Sequence, residues 1–150
     1  MNFSTRRPAA AEGAVLFDIW WRSVSATHTF LSRNDLRQLA PAVRTLKLET
    51  LDTWVLCEEA SPVGFIVMSG AHVEALFLAP ERLRCGGGSV LIRHARSLRG
   101  PLSVDVNEQN VRALKFYLAR GFCVVTRSET DHDGRPFPLL HLAEPGRAAC

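Results

Sequence analysis

The chain has 150 residues, 47% of them apolar and 22% charged, and a net charge of +3. That is the composition of a globule able to remove roughly 70% of its unfolded surface from water without disulfide or metal staples. Scattered basic residues at so small a net charge do not point to nucleic acid, and no apolar run is long enough to span a bilayer. The first residues, MNFSTRRPAAAEG, lack the apolar core of a secretion signal, so a cytoplasmic protein is expected. Cys57, Cys85, Cys123 and Cys150 are widely spaced and form no C-x-x-C pair, so neither a zinc site nor a disulfide framework is indicated. Cys57 and Cys123 sit in apolar runs as small core residues, whereas Cys85, among glycines, is either a spacer or a reactive thiol.

Residues 3–7 read as a first strand ended by Pro8. A helix over residues 9–27 follows, with Val15, Ile19, Trp20 and Val24 at helical spacing and Trp21 beside that face. Ser25, Thr27, His28 and Thr29 crowd its end, where they are caps and turn formers or, for His28, a substrate contact. Residues 33–48 carry a second helical pattern, kinked or broken by Pro41. From Thr53 the period changes to two, giving strands over 54–57 and 63–69 about a Ser61-Pro62 turn and a third strand over 72–78. On that third strand His72, Glu74, Leu76 and Leu78 share one face and Val73, Ala75 and Phe77 the other, which sets Glu74 amid apolar neighbours.

The strand runs through Pro80 into Leu83-Arg84-Cys85-Gly86-Gly87-Gly88 and then a helix carrying Val90, Leu91, His94, Ala95 and Leu98, stopped by Gly100-Pro101. Consecutive glycines leave the backbone open to a ligand, and the first free N–H groups of the helix favour an anion. The dinucleotide fingerprint is excluded, because Leu91 stands at its third glycine, and so is the nucleotide P-loop, because no Gly-Lys-Ser/Thr is present. Residues 102–106 form a strand with alternating Ser103 and Asp105. Asn110 caps a helix that Gly121 ends. Two last strands, 122–126 and 138–142, flank the Asp131-His132-Asp133-Gly134 turn, and residues 143–150 form a loose tail. Without repeat or linker, residues 1–150 read as a single domain.

Two motifs resemble those of the GNAT superfamily of N-acyltransferases. The glycine stretch resembles its acyl-CoA loop, Arg/Gln-x-x-Gly-x-Gly/Ala, with both glycine positions kept, Leu83 in place of the leading Arg/Gln, and Arg82 and Arg84 beside it. The stretch from Asn110 to Phe122 resembles Asn-x-x-Ala-x-x-Phe-Tyr-x-x-x-Gly-Phe with every specified position filled. The resemblance covers essentially the whole chain and is strongest to small bacterial acetyltransferases of the family. It implies an α/β (α+β) GNAT fold, a mixed, mostly antiparallel seven-stranded sheet with about four helices in the order β-α-α-β-β-β-α-β-α-β-β, whose fourth and fifth strands splay around the cofactor.

By the same resemblance the co-substrate is acetyl-CoA, held by Phe77, Leu78, Arg84, Cys85, Gly86, Gly87, Gly88, Ser89, Asn110, Ala113 and Phe116, with no metal. Tyr117 is the general acid or an aromatic packing residue, Glu74 the base with His72 as rival, and a backbone N–H near Phe77 or Leu78 the oxyanion donor. Trp21, His28, Asp131 and Asp133 flank the acceptor side, though Asp131 to Gly134 reads first as a turn. The expected function is direct acetyl transfer in a ternary complex to a primary amine on a small molecule or protein, by a monomer or homodimer that binds neither nucleic acid nor membrane. An acyl-CoA-binding regulatory domain without turnover, or an unrelated α/β protein whose glycine loop is only a corner, are the alternatives.

Overall fold

The computed structural model describes residues 2–28 and 30–147, so the expectations touching Thr29 and Cys150 lie outside the described residues. The order is β1 (Phe3–Arg6), α1 (Gly13–Thr27), α2 (Arg33–Leu46), β2 (Thr53–Glu58), β3 (Ser61–Ser69), β4 (His72–Leu78), α3 (Gly87–Arg99), β5 (Ser103–Asn107), α4 (Val111–Ala119), β6 (Cys123–Ser128) and β7 (Leu139–Ala143). Short 3-10 turns at Ala10–Glu12, Leu48–Thr50 and Pro80–Arg82 join them. The seven strands form one sheet in the order β1-β2-β3-β4-β5-β7-β6, antiparallel everywhere except between β4 and β5.

Helix α2 begins with a capping box, in which the Ser32 hydroxyl accepts the Asp35 N–H at 3.1 Å and the Asp35 carboxylate accepts the Ser32 N–H at 2.9 Å. It accommodates Pro41 and stops at Leu46, because Lys47 turns left-handed with φ 50°. Helices α1 and α2 cover one face of the sheet, where Leu16, Ile19 and Trp20 meet Val55, Phe65 and Val67. Helices α3 and α4 cover the other, where Leu91, Ile92, Ala95 and Tyr117 meet Ile66, Val104 and Leu142.

Three local expectations are corrected. The hairpin turn falls at Glu59 and Ala60, with Glu59 at φ 56°, and Ser61 and Pro62 already belong to β3. A register shift between Leu56 and Cys57 lets Pro62 sit opposite Cys57. In β4 the register passes from Val67↔Ala75 to Met68↔Val73, so Glu74 is the extra residue of a bulge. The faces change there: Val73 joins Leu76 and Leu78 toward α3 and α4, Ala75 and Phe77 turn toward α1 and α2, and Glu74 is exposed rather than held among apolar side chains. Third, Cys123 is disulfide-bonded, which the spacing of the four cysteines did not suggest, while Cys57 and Cys85 are free thiols.

Candidate active site

Strands β4 and β5 pair at only two positions, His72↔Ser103 and Val73↔Val104. Beyond them the strands part, and a cavity of about 680 Å³ fills the opening. Ala79 donates its N–H to Val63 O across β3, so the alternation of a strand turns the Leu78 N–H to the opposite, unpaired edge. This narrows the expected oxyanion donor to Leu78, because the Phe77 N–H faces β3; the Phe77 ring still lines the cavity.

One end of the cavity is the glycine loop. Arg84 and Gly86 take φ 62° and 89°, a turn that delivers the chain to α3 with no side chain capping its first N–H groups. Arg84, Gly86, Gly88 and Ser89 line the cavity. Cys85 and Gly87 do not: Gly87 is buried where a Cβ would stand 2.6 Å from Leu56, and a Cβ on Gly88 would stand 2.7 Å from Phe116. The second glycine is therefore a packing requirement of α3 against the sheet. Arg112, Lys115 and Arg120, none of them expected, also line the cavity and make its rim cationic. Arg120 is fixed there by the Ser89 hydroxyl at 2.8 Å, the Phe116 carbonyl at 2.9 Å and the Phe116 ring at 3.8 Å. The open helix end and the cations fit an anionic cofactor.

Tyr117 is buried at 6% exposure yet lines the cavity, its ring wedged edge-on between Phe116 and Phe122 at 5.0 and 5.2 Å. Burial pushes its hydroxyl well above the ordinary tyrosine pKa, so the proton stays on the oxygen. Asn110 caps α4 by accepting the Ala113 N–H at 3.2 Å, and its amide N–H reaches His28 Nε2 at 3.2 Å. His28 Nδ1 lies 2.9 Å from Thr27 Oγ1, whose hydroxyl is donated to Ser23 O at 2.7 Å. His28 is therefore neutral with its proton on Nδ1, and burial holds its pKa at about 4. This chain of bonds bridges α1 to α4, and Ser23, Thr27, His28, Asn110 and Ala113 all line the cavity.

Glu74 lines the cavity, whereas its rival His72 does not: His72 Nδ1 lies 2.7 Å from Ser103 Oγ and Nε2 3.6 Å from Asp105. The acceptor-side residues are not all gathered. Trp21 faces a separate small cleft with Arg33, Leu36 and Arg37. Asp131 builds the turn, its Oδ1 accepting the N–H groups of Asp133 and Arg135 at 2.9 and 2.8 Å, and Asp133 is exposed. Between them His132 reaches Asp105, which lines the cavity and was not expected as a site residue. Its signal in the sequence was the polar alternation of β5. Among the described residues no group of three or more His, Cys, Asp or Glu side chains is arranged to hold a metal ion, and no helix is long and apolar enough to cross a membrane.

Residues 14–122 match the model of the acetyltransferase (GNAT) family. The chain is 46% identical over 147 residues to the peptidyl-lysine N-acetyltransferase YjaB of Escherichia coli, covering 97% of this chain and 99% of that one. It is 42% identical to YjaB of Salmonella typhimurium, covering 97% of this chain and all of that one. The solution structure of apo-form YjaB from Escherichia coli superposes with a TM-score of 0.89 over 97% of this chain and 99% of that chain, at 46% identity. The chain belongs to the acetyltransferase (GNAT) family and is an N-acetyltransferase with acetyl-CoA as its co-substrate.

Proposed function

We propose that the protein acetylates lysine side chains of proteins or peptides by direct transfer in a ternary complex, and that residues 1–150 act as one domain. The acceptor class follows its relatives, both named peptidyl-lysine N-acetyltransferases. The observation that carries the chemistry is the parting of β4 from β5, which opens one cavity to Glu74, Tyr117 and the uncapped end of α3. Acetyl-CoA supplies the thioester carbonyl and the departing thiolate. The N–H groups from Arg84 to Ser89, with Arg112, Lys115 and Arg120, hold its phosphates; Phe77, Leu78, Asn110, Ala113 and Phe116 line the way to the reacting end. The Leu78 N–H donates to negative charge on the acyl oxygen. Glu74 takes the proton that an ammonium must lose before it can attack, and Tyr117 gives a proton to the thiolate. His72, tied to Ser103 and Asp105, is the weaker candidate for the base, and neither free thiol is set as a nucleophile for an acyl-enzyme.

The test is thiol release and peptide mass gain with acetyl-CoA and a panel of lysyl peptides, N-terminal amines and small amines. Lysyl peptides are expected to be the preferred acceptors. Preference for N-termini or small amines would overturn the acceptor assignment, and thiol release without an acetylated product would overturn the transfer.

A further inference from the structure

Asp105 stands on β5 opposite His141 of β7, beside the part of the sheet on which α1 packs. Three of the five histidines surround its carboxylate: His141 Nδ1 at 2.6 Å from Oδ1, His132 Nε2 at 3.0 Å from Oδ2, and His72 Nε2 at 3.6 Å from Oδ2. The far nitrogens of His72 and His141 lie 2.7 and 2.6 Å from the hydroxyls of Ser103 and Ser128. With each serine donating to its imidazole, the other nitrogen of each ring is left to turn an N–H group to Asp105. Burial raises the Asp105 pKa, but the hydrogen bond from His141, with the charges of His72 and His141 and the bond from His132, outweighs it and keeps the carboxyl below its ordinary value.

Elsewhere the chain answers acids with arginine: Glu12, Glu58, Glu108 and Glu144 each meet one, and Asp52 meets two. Among the ion pairs of the described residues, Asp105 is the acidic member met by histidine alone. It is also, with Glu74, a carboxylate that lines the cavity, and the two come from the two strands that part. A half-buried carboxylate that lines a cavity with no arginine or lysine beside it is a site for a cation carried by the substrate.

We propose that Asp105 receives the ammonium group of the acceptor, so that this enzyme selects cationic primary amines. The proposal rests on the acetyltransferase reading above and divides the labour of the two carboxylates: Asp105 binds the ammonium, and Glu74 removes its proton.

The test compares a lysyl peptide with trifluoroethylamine, an amine uncharged near neutral pH, in the wild type, Asp105→Asn and Asp105→Glu. Asp105→Asn is expected to raise KM for the lysyl peptide by about tenfold to a hundredfold with little change in kcat. It should leave kcat/KM for trifluoroethylamine and the affinity for acetyl-CoA unchanged, and Asp105→Glu should recover much of the loss. In the wild type, ethylamine, which carries the charge that trifluoroethylamine lacks, should have the lower KM of the two, a readout that stands even if Asp105→Asn does not fold. An unchanged KM, an equal loss with the uncharged amine, or a wild-type KM for ethylamine no lower than that for trifluoroethylamine would each overturn the proposal while leaving the acetyltransferase reading intact. A wild type that acetylates no amine would overturn both.

Discussion

Tyr117 and Glu74 stand in opposite surroundings, and their substitutions separate accordingly. Tyr117 is enclosed by Phe116 and Phe122, and its hydroxyl makes no hydrogen bond among the described residues, so Tyr117→Phe removes a proton donor while keeping the packed ring. It should lower kcat by about 10²- to 10⁴-fold and leave acetyl-CoA affinity, read by calorimetry, nearly unchanged. Near-full kcat would exclude the acid role. Glu74 is exposed on a bulge, so Glu74→Gln disturbs little packing. Its loss of kcat/KM on lysyl peptides should deepen as pH falls, because more of the amine then arrives protonated. A loss of equal size at every pH would show that Glu74 only shapes the cavity.

At the scale of elements, the approach of α3 to the sheet depends on two glycines with different neighbours. Gly87→Val drives its side chain into Leu56 beneath the helix and should cost about 1–3 kcal/mol in urea denaturation. If instead it tightened acetyl-CoA binding at unchanged stability, the loop would have room that the packing denies. Glu144, just beyond β7, anchors the last turn of the same helix. It is 7% exposed, receives Arg96 at 2.8 Å and accepts the Leu102 N–H at 2.9 Å, so Glu144→Gln should cost about 1–3 kcal/mol without moving the KM of either substrate. The helices, the strands and the glycine loop were legible in the sequence because periodicity and caps are local. The β4 bulge was not, since one extra residue shows only against the register of β3. Asp105 was missed for a related reason: its polar alternation was visible, but His141 comes opposite it only through the β5–β7 ladder, and His132 only through the turn that Asp131 builds.

For the whole molecule, acid should act in two separate windows, and the upper one belongs to the cavity. Glu12 is held at about 2 by Arg6 and the Ala9 N–H against an ordinary 4.5, so the stability it contributes is complete above 4.5 and is lost as pH falls through 2. His28 has the opposite charge type. Its folded pKa of about 4 lies below the ordinary 6.5 because burial disfavours the imidazolium. Above 6.5 both states are neutral; between 6.5 and 4 the unfolded chain binds a proton that the folded chain refuses, so stability falls with falling pH; below 4 the slope from this group vanishes. The total is about 3 kcal/mol at most. A proton on Nε2 would also face the donating amide of Asn110, so the bridge from α1 to α4 breaks with the same titration. Urea denaturation of the wild type from pH 7 to 3 should therefore show a decline that begins near 6.5, well above the carboxylate range, and acetyl-CoA affinity should weaken over the same window. His28→Asn, which cannot titrate, should show a smaller upper decline, because burial lowers His94 as well, and retain the lower one. Parallel stability curves for the two proteins between pH 6.5 and 4 would mean that His28 is solvated in the folded chain and that the bridge to Asn110 does not govern the width of the cavity.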